Sequence, residues 1–135
     1  MTQEQKDLLL KDLCARLPYG VKVHFSGWDS EYLQQKEMVD TLYSIDSDGY
    51  CNTYEYDSLL KLEDVKPYLF PLSSMTEEQY DQLYIDSRVK KDSVDILDAL
   101  ANDMDAIEYL LKNNFDIYGL IPMGLAIDAT GLNIY

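Results

Sequence analysis

The middle of this chain lacks the crossover helices that a parallel sheet requires between successive strands. Val21-Lys22-Val23-His24-Phe25 alternates apolar with polar residues, the period of a half-buried strand. Met38 to Ile45 leads into Asp46-Ser47-Asp48-Gly49, a strong turn signal. Tyr50, Asn52, Tyr54 and Tyr56 then fall on one side of an extended segment. This pattern predicts a hairpin whose first arm shows Val39, Thr41, Tyr43 and Ile45 on one face. The polar stretch from Trp28 to Lys36 reads equally as loop or helix.

Helical signals flank this middle. Thr2 and Gln5 can form a capping box. Leu9, Leu10, Leu13, Cys14 and Leu17 follow at helical spacing as one buried stripe, which Pro18-Tyr19-Gly20 ends. Val65 to Phe70 is a short extended piece bracketed by Pro67 and Pro71, which suits a sheet edge or a segment passing beside the sheet. Thr76 with Gln79, or Ser74 with Glu77, can cap a second helix. Ser93 to Asn113 gives the longest helical period, divisible at Asn102-Asp103 and stopped by Asn113-Asn114. Leu125-Ala126-Ile127 and Leu132-Asn133-Ile134 flank a turn at residues 128–131 and predict a terminal hairpin. The expected fold is α+β. A small antiparallel sheet of hairpins packs with an N-terminal helix and one or two C-terminal helices. Residues 1–135 read as a single domain.

Charge narrows function. The chain carries 25 acidic residues against 11 basic ones, a net of -14 over 135 residues. Such a surface repels nucleic-acid phosphates and anionic lipid at long range. High charge can also mark disorder, but 12 Tyr, 3 Phe and one Trp supply a core. No leader and no apolar run near 20 residues is visible, so the expectation is a cytoplasmic protein with no membrane contact. Cys14 and Cys51 are expected to stay unpaired.

Chemical motifs are sparse. Ser44 to Glu55 aligns with a calcium loop, with Asp46, Asp48 and Glu55 as candidate ligands and Gly49 at the sharp turn. Ser44 stands where that loop needs Asp, and Thr53-Tyr54-Glu55-Tyr56 prefers strand to helix, so a plain β-turn is the favoured reading. His24 is the one histidine, and no nucleophile with a matching base is identifiable beside it in sequence. Tyr50, Tyr54 and Tyr56, with Tyr43 opposite, are candidate interaction residues, set against ordinary cross-strand packing. Asp95, Asp98, Asp103, Asp105 and Glu108 line the long helix, with Lys112 the nearby base. They read as a solvated face or as a phosphate-like array. Arg88-Val89-Lys90-Lys91 is too small a patch to reverse the field.

Three blocks resemble a family of short acidic proteins from gut anaerobic bacteria and their phages. They are Leu8 to Val21 (Leu-Leu-Leu-Lys-Asp-Leu-Cys-Ala-Arg-Leu-Pro-Tyr-Gly-Val), Lys66 to Thr76 and Asp116 to Ala126. That family has no established activity, so the resemblance carries over no catalytic residue. It implies a cytoplasmic protein carried by a mobile element.

The leading expectation is a non-enzymatic, acidic protein-binding module. It would have an unidentified protein partner, no cofactor and no direct nucleic-acid contact. One alternative is a nucleic-acid mimic that blocks a host DNA-binding protein. Another is a weak metal-binding or carboxylate-based hydrolytic module using Asp46, Asp48 and Glu55.

Overall fold

A computed structural model describes residues 1–56, 59–81 and 104–135. The fold is α+β: a six-stranded, mostly antiparallel sheet with an N-terminal helix and C-terminal helical segments. Helix α1 spans Gln3–Arg16. Its capping box forms as expected: Thr2 Oγ1 accepts the Gln5 N–H at 3.1 Å, and Gln5 Oε1 accepts the Thr2 N–H at 2.9 Å. Leu17 caps its C-terminus, and Gly20 turns the chain at φ +83°.

The buried stripe of α1 is rotated from the expected one. Leu9, Asp12, Leu13 and Arg16 are buried, Leu10 and Leu17 are half-buried, and Cys14 is exposed. The helical period is right but its phase is set by a pair of charges. Arg16 Nε donates to Asp12 Oδ2 at 2.8 Å, and its Nη2 donates to Oδ1 at 3.0 Å. Both side chains are fully buried. A charge survives burial only when its hydrogen bonds are supplied locally, as here one turn apart. Cys14 and Cys51 are both free thiols, and burial pushes the Cys51 thiol up to about 11.

Strands β1 (Lys22–Asp29), β2 (Gln34–Ile45), β3 (Tyr50–Thr53), β4 (Leu60–Lys61), β5 (Lys66–Leu69) and β6 (Ile127–Asp128) follow. Their order in the sheet is β4-β3-β2-β1-β5-β6. The stretch from Trp28 to Lys36 is neither loop nor helix: apart from the turn at residues 30–33 it completes the β1–β2 hairpin. The β2–β3 hairpin turns at Asp46–Gly49 as its sequence requires, with Gly49 at φ +83°. The ladder slips between Leu42 and Ser44, which turns Ile45 onto the core side opposite buried Cys51. Ile45 therefore leaves the face it was expected to share with Val39, Thr41 and Tyr43.

The sheet must curl. Between β4 and β5 lie only residues 62–65, mostly a 3-10 turn, although three strands separate β4 from β5. Four strand spacings in a flat sheet are about 19 Å. A link rising about 2 Å per residue through its turn spans roughly 13 Å. Curling brings Leu60 and Val65 into one core with Val23, Phe25, Leu42 and Cys51, closed by Leu9 and Leu13 of α1.

β5 is not the sheet edge that Pro67 and Pro71 suggested, because β6 covers its far side in parallel. That pairing begins at Tyr68, one residue past Pro67, so the missing proline N–H is spared a ladder position. The terminal hairpin does not form either. Asp128 accepts the Thr130 N–H, and the last residues cross back over β1 and β5. Helix α2 (Glu77–Asp81) has the Thr76–Gln79 capping box. Helix α3 (Met104–Lys112) ends in a Schellman turn: Phe115 N–H bonds Leu110 C=O at 2.9 Å, and Asn114 sits at φ +61°. The remainder of the expected long helix, with Asn102-Asp103, lies outside the described residues.

Tyr135 locks the tail. Its hydroxyl donates to Tyr68 C=O at 2.7 Å and accepts the Lys22 N–H at 3.0 Å. The residue is 46% exposed, but its hydroxyl is engaged by both partners. Burial raises its pKa to about 12, against the Lys22 N–H and Arg16, which lower it. A raised phenol favours the folded state up to the unfolded value near 10, and that contribution fades as pH climbs to 12. Thermal unfolding followed from pH 8 to 12 should therefore show stability falling above pH 10. Tyr135→Phe should be less stable at pH 8 and should show a shallower alkaline loss.

Candidate functional site

β1 and β2 outrun their neighbours. β5 meets β1 only at Val23 and His24, and β3 meets β2 only from Leu42 to Ile45. The hairpin from Phe25 to Met38 thus projects as a two-stranded arm among the described residues. Such an arm is marginal by itself and needs side-chain support. At its tip Asp29 accepts the N–H groups of Glu31 at 3.0 Å and Tyr32 at 3.4 Å, and Leu33 turns the chain at φ +53°. Trp28, Tyr32 and Leu33 are exposed there, at 50%, 65% and 73%.

The support comes from Tyr56. Its ring packs on Phe25 at 5.1 Å between centroids, and its hydroxyl accepts the Trp28 N–H at 3.0 Å. Gly27 admits that ring: a Cβ there would lie 2.8 Å from Met38 Sδ and 2.9 Å from Tyr56 Cε2. Asp40 holds the segment bearing Tyr56, accepting the N–H of Thr41 and of Glu55, each at 2.7 Å. Burial works against charge on Asp40, but hydrogen bonds from the Glu55 N–H, the Thr53 side chain and the Thr41 and Tyr56 N–H groups together outweigh it and hold its carboxyl below the usual range.

On the open face, β1 brings His24 and Ser26 beside Glu37 of β2. His24 Nε2 contacts Glu37 Oε2, and Ser26 Oγ donates to Glu37 Oε1 at 2.7 Å. The carboxylate sits between the other two, whereas a hydrolytic triad needs the histidine in that place. As arranged, the cluster cross-links the two strands. Next to it lies a groove of about 680 Å³, lined by Ser26, Trp28, Tyr56, Leu59, Leu60 and Lys61 among others.

The calcium-type candidates are not gathered. Asp46 Oδ1 accepts the N–H of Asp48 at 2.9 Å and of Tyr50 at 3.0 Å, as a turn cap. Ser44 and Asn52 are ladder partners joined at 3.2 Å, so the segment is zipped into strands rather than wound as a loop. Glu55 is placed by its backbone bond to Asp40. Among the described residues no group of three or more His, Cys, Asp or Glu is arranged to hold a metal. The three tyrosines also part company. Tyr50 is 36% exposed and borders the groove. Tyr54 stacks edge-on against Tyr43 at 5.0 Å, as cross-strand packing predicts. Tyr56 turns inward, because the strand ends at Thr53 and the alternation ends with it. Asp105 and Glu108 are exposed on α3, while Asp95, Asp98, Asp103 and the Arg88–Lys91 patch lie outside the described residues. The arm itself was missed, since Gln34-Gln35-Lys36-Glu37 has both faces in water and shows no apolar period.

No family model matches the chain, and no solved structure matches it. Among curated proteins, Autophagy-related protein 11 of Kluyveromyces lactis is 28% identical over 116 residues. The match covers 85% of this chain and 10% of that protein, so the chain spans about a tenth of its relative's length. Among the described residues no helix is long and apolar enough to cross a membrane.

Gly27→Ala should displace the Tyr56 ring and cost about 1–3 kcal/mol in urea unfolding, the usual range for overpacking. The change should also loosen the arm, read as faster amide exchange at Trp28. Unchanged exchange and stability would show that Tyr56 does not brace it.

Proposed function

We propose that this chain is a non-enzymatic, acidic protein-binding module, and that its arm is the contact surface. The observation that carries this reading is the arm's tip, where Trp28, Tyr32 and Leu33 stand in water on a braced two-stranded projection. Aromatic side chains held rigidly give large contact area at low entropic cost, and they are enriched at interfaces. Val39, Tyr43 and Tyr54 extend the exposed apolar surface from the arm onto the sheet, at 46%, 60% and 67% exposure. The net charge of -14 then acts on partner choice and approach rate, favouring basic surfaces and rejecting acidic ones.

The nucleic-acid-mimic alternative makes a different demand. There the charge supplies the affinity, so binding collapses with salt. Capture from native cells at low and high salt separates the two. The module reading expects a partner retained at high salt by the wild type and lost by Trp28→Ser/Leu33→Ser at equal thermal stability. A partner shed by salt, or held equally by the arm variant, contradicts it.

A further inference from the structure

The ladder between β1 and β5 stops one step short. Val23 stands opposite Pro67 and His24 opposite Lys66, so the same register sets Lys22 opposite Tyr68. The backbone of β1 is oriented by the Leu42 N–H, which reaches Val21 C=O from β2. Odd-numbered residues of β1 therefore direct their N–H and C=O groups to β2, and even-numbered ones direct them to β5. His24 and Lys66 make one ladder step. Lys22 N–H and Tyr68 C=O belong to the next, because bonded pairs in an antiparallel ladder recur at every second residue. The Tyr135 hydroxyl occupies that step instead: it accepts the Lys22 N–H at 3.0 Å and donates to Tyr68 C=O at 2.7 Å. A direct bond would set the nitrogen and the oxygen about 2.9 Å apart. Two bonds in series through one oxygen hold them wider.

The step can be filled in two ways. With Tyr135 seated, one hydroxyl satisfies a donor on β1 and an acceptor on β5. With Tyr135 withdrawn, those two groups can satisfy each other. Neither arrangement strands a backbone polar group, so neither carries the penalty of an unmade hydrogen bond. The strap that bears the hydroxyl is pinned at its ends. Ala129 N–H bonds Leu69 C=O at 2.8 Å, and residues 130–133 then run exposed. At the far end Lys22 Nζ donates to Ile134 C=O at 2.7 Å, and the Tyr135 ring lies 5.8 Å from that of Phe70. We infer that Tyr135 is a removable wedge: seated, it keeps β1 and β5 apart at Lys22 and Tyr68; withdrawn, it lets them bond directly and the ladder gains its next pair. The sheet thus has two settings, selected by where residues 130–135 lie. Tyr68 also packs edge-on to His24 at 6.4 Å, and His24 contacts Glu37 at the root of the arm. The step that the wedge controls therefore lies beside the base of the arm.

Scalar coupling across a hydrogen bond identifies the acceptor of a given amide, and it can be measured on the full chain by NMR. In the wild type the Lys22 amide nitrogen should show no coupling to the Tyr68 carbonyl carbon, while the Tyr135 hydroxyl proton should lie close enough to the Lys22 amide proton for a nuclear Overhauser signal. Tyr135→Ala should bring out the Lys22–Tyr68 coupling and leave the Lys22 amide as protected from exchange as before. A gap filled by water would instead forfeit one hydrogen bond and speed that exchange by up to about tenfold. Tyr135→Phe, which retains the ring against Phe70, is the gentler variant and should show the same coupling. A Lys22–Tyr68 coupling already present in the wild type would overturn the inference, and so would its absence from every variant that folds. The first of these measurements needs no variant. None of the outcomes bears on the protein-binding reading, on which the wedge does not depend.

Discussion

Arg16 is the most consequential side chain in this fold. It is fully buried, and its guanidinium forks onto Asp12 while Nη2 also donates to Phe115 C=O at 2.6 Å. That last bond joins residues 99 positions apart and ties α1 to the segment after α3. Phe115 in turn bridges to Phe70 at the end of β5, with Asn114 and Asp116 exchanging backbone bonds with Phe70. Asp116 then accepts the N–H groups of Leu120 and Ile121, shaping the turn that delivers β6. One cation thus sets helix, tail and sheet in register. The arrangement is costly: burial pushes the Asp12 carboxyl up despite Arg16, and Arg16 Nη1 has no hydrogen-bond partner among the described residues. Removing one partner of such a pair strands a buried charge and costs far more than the pair itself contributes to net stability.

The consequences run outward to the surface. With the tail anchored, β6 covers part of β5, and Tyr135 reaches Tyr68 and Lys22. β5 stays short, and β1 runs on past it. The projecting arm therefore follows from an economy of pairing: the chain spends its other strands on one end of β1. The arm persists because Asp40 and Gly27 let Tyr56 brace it. Residues that look unremarkable in sequence thereby position the exposed Trp28.

Local rules were legible in the sequence. Both capping boxes, the Asp46–Gly49 turn and the Asn113-Asn114 helix stop each depend on side chains within a few positions of one another. The strand of alternating Val21 to Phe25 was legible too. What escaped was non-local or lacked a period. Asp12 and Arg16 look like solvent-facing charges until their burial is seen, so the stripe of α1 was placed out of phase with Cys14 inside. The parallel pairing of β6 with β5 joins Tyr68 to Ile127, far apart in the chain, and no nearby sequence announces it. Ile45 changed faces through a ladder slip. The arm has no apolar alternation, and the calcium-type spacing at Ser44 to Glu55 falls on the turn and strands of a zipped hairpin.

The most direct test is a double-mutant cycle at the buried pair, read by urea unfolding of the wild type, Asp12→Leu, Arg16→Met and the combined variant. Each single change should cost about 3–5 kcal/mol, because it strands a buried charge. The combined variant should regain much of that loss and give a coupling of several kcal/mol. A cost below about 1 kcal/mol for Arg16→Met, with additive effects in the double variant, would mean that the tail and the sheet are held in place by something else.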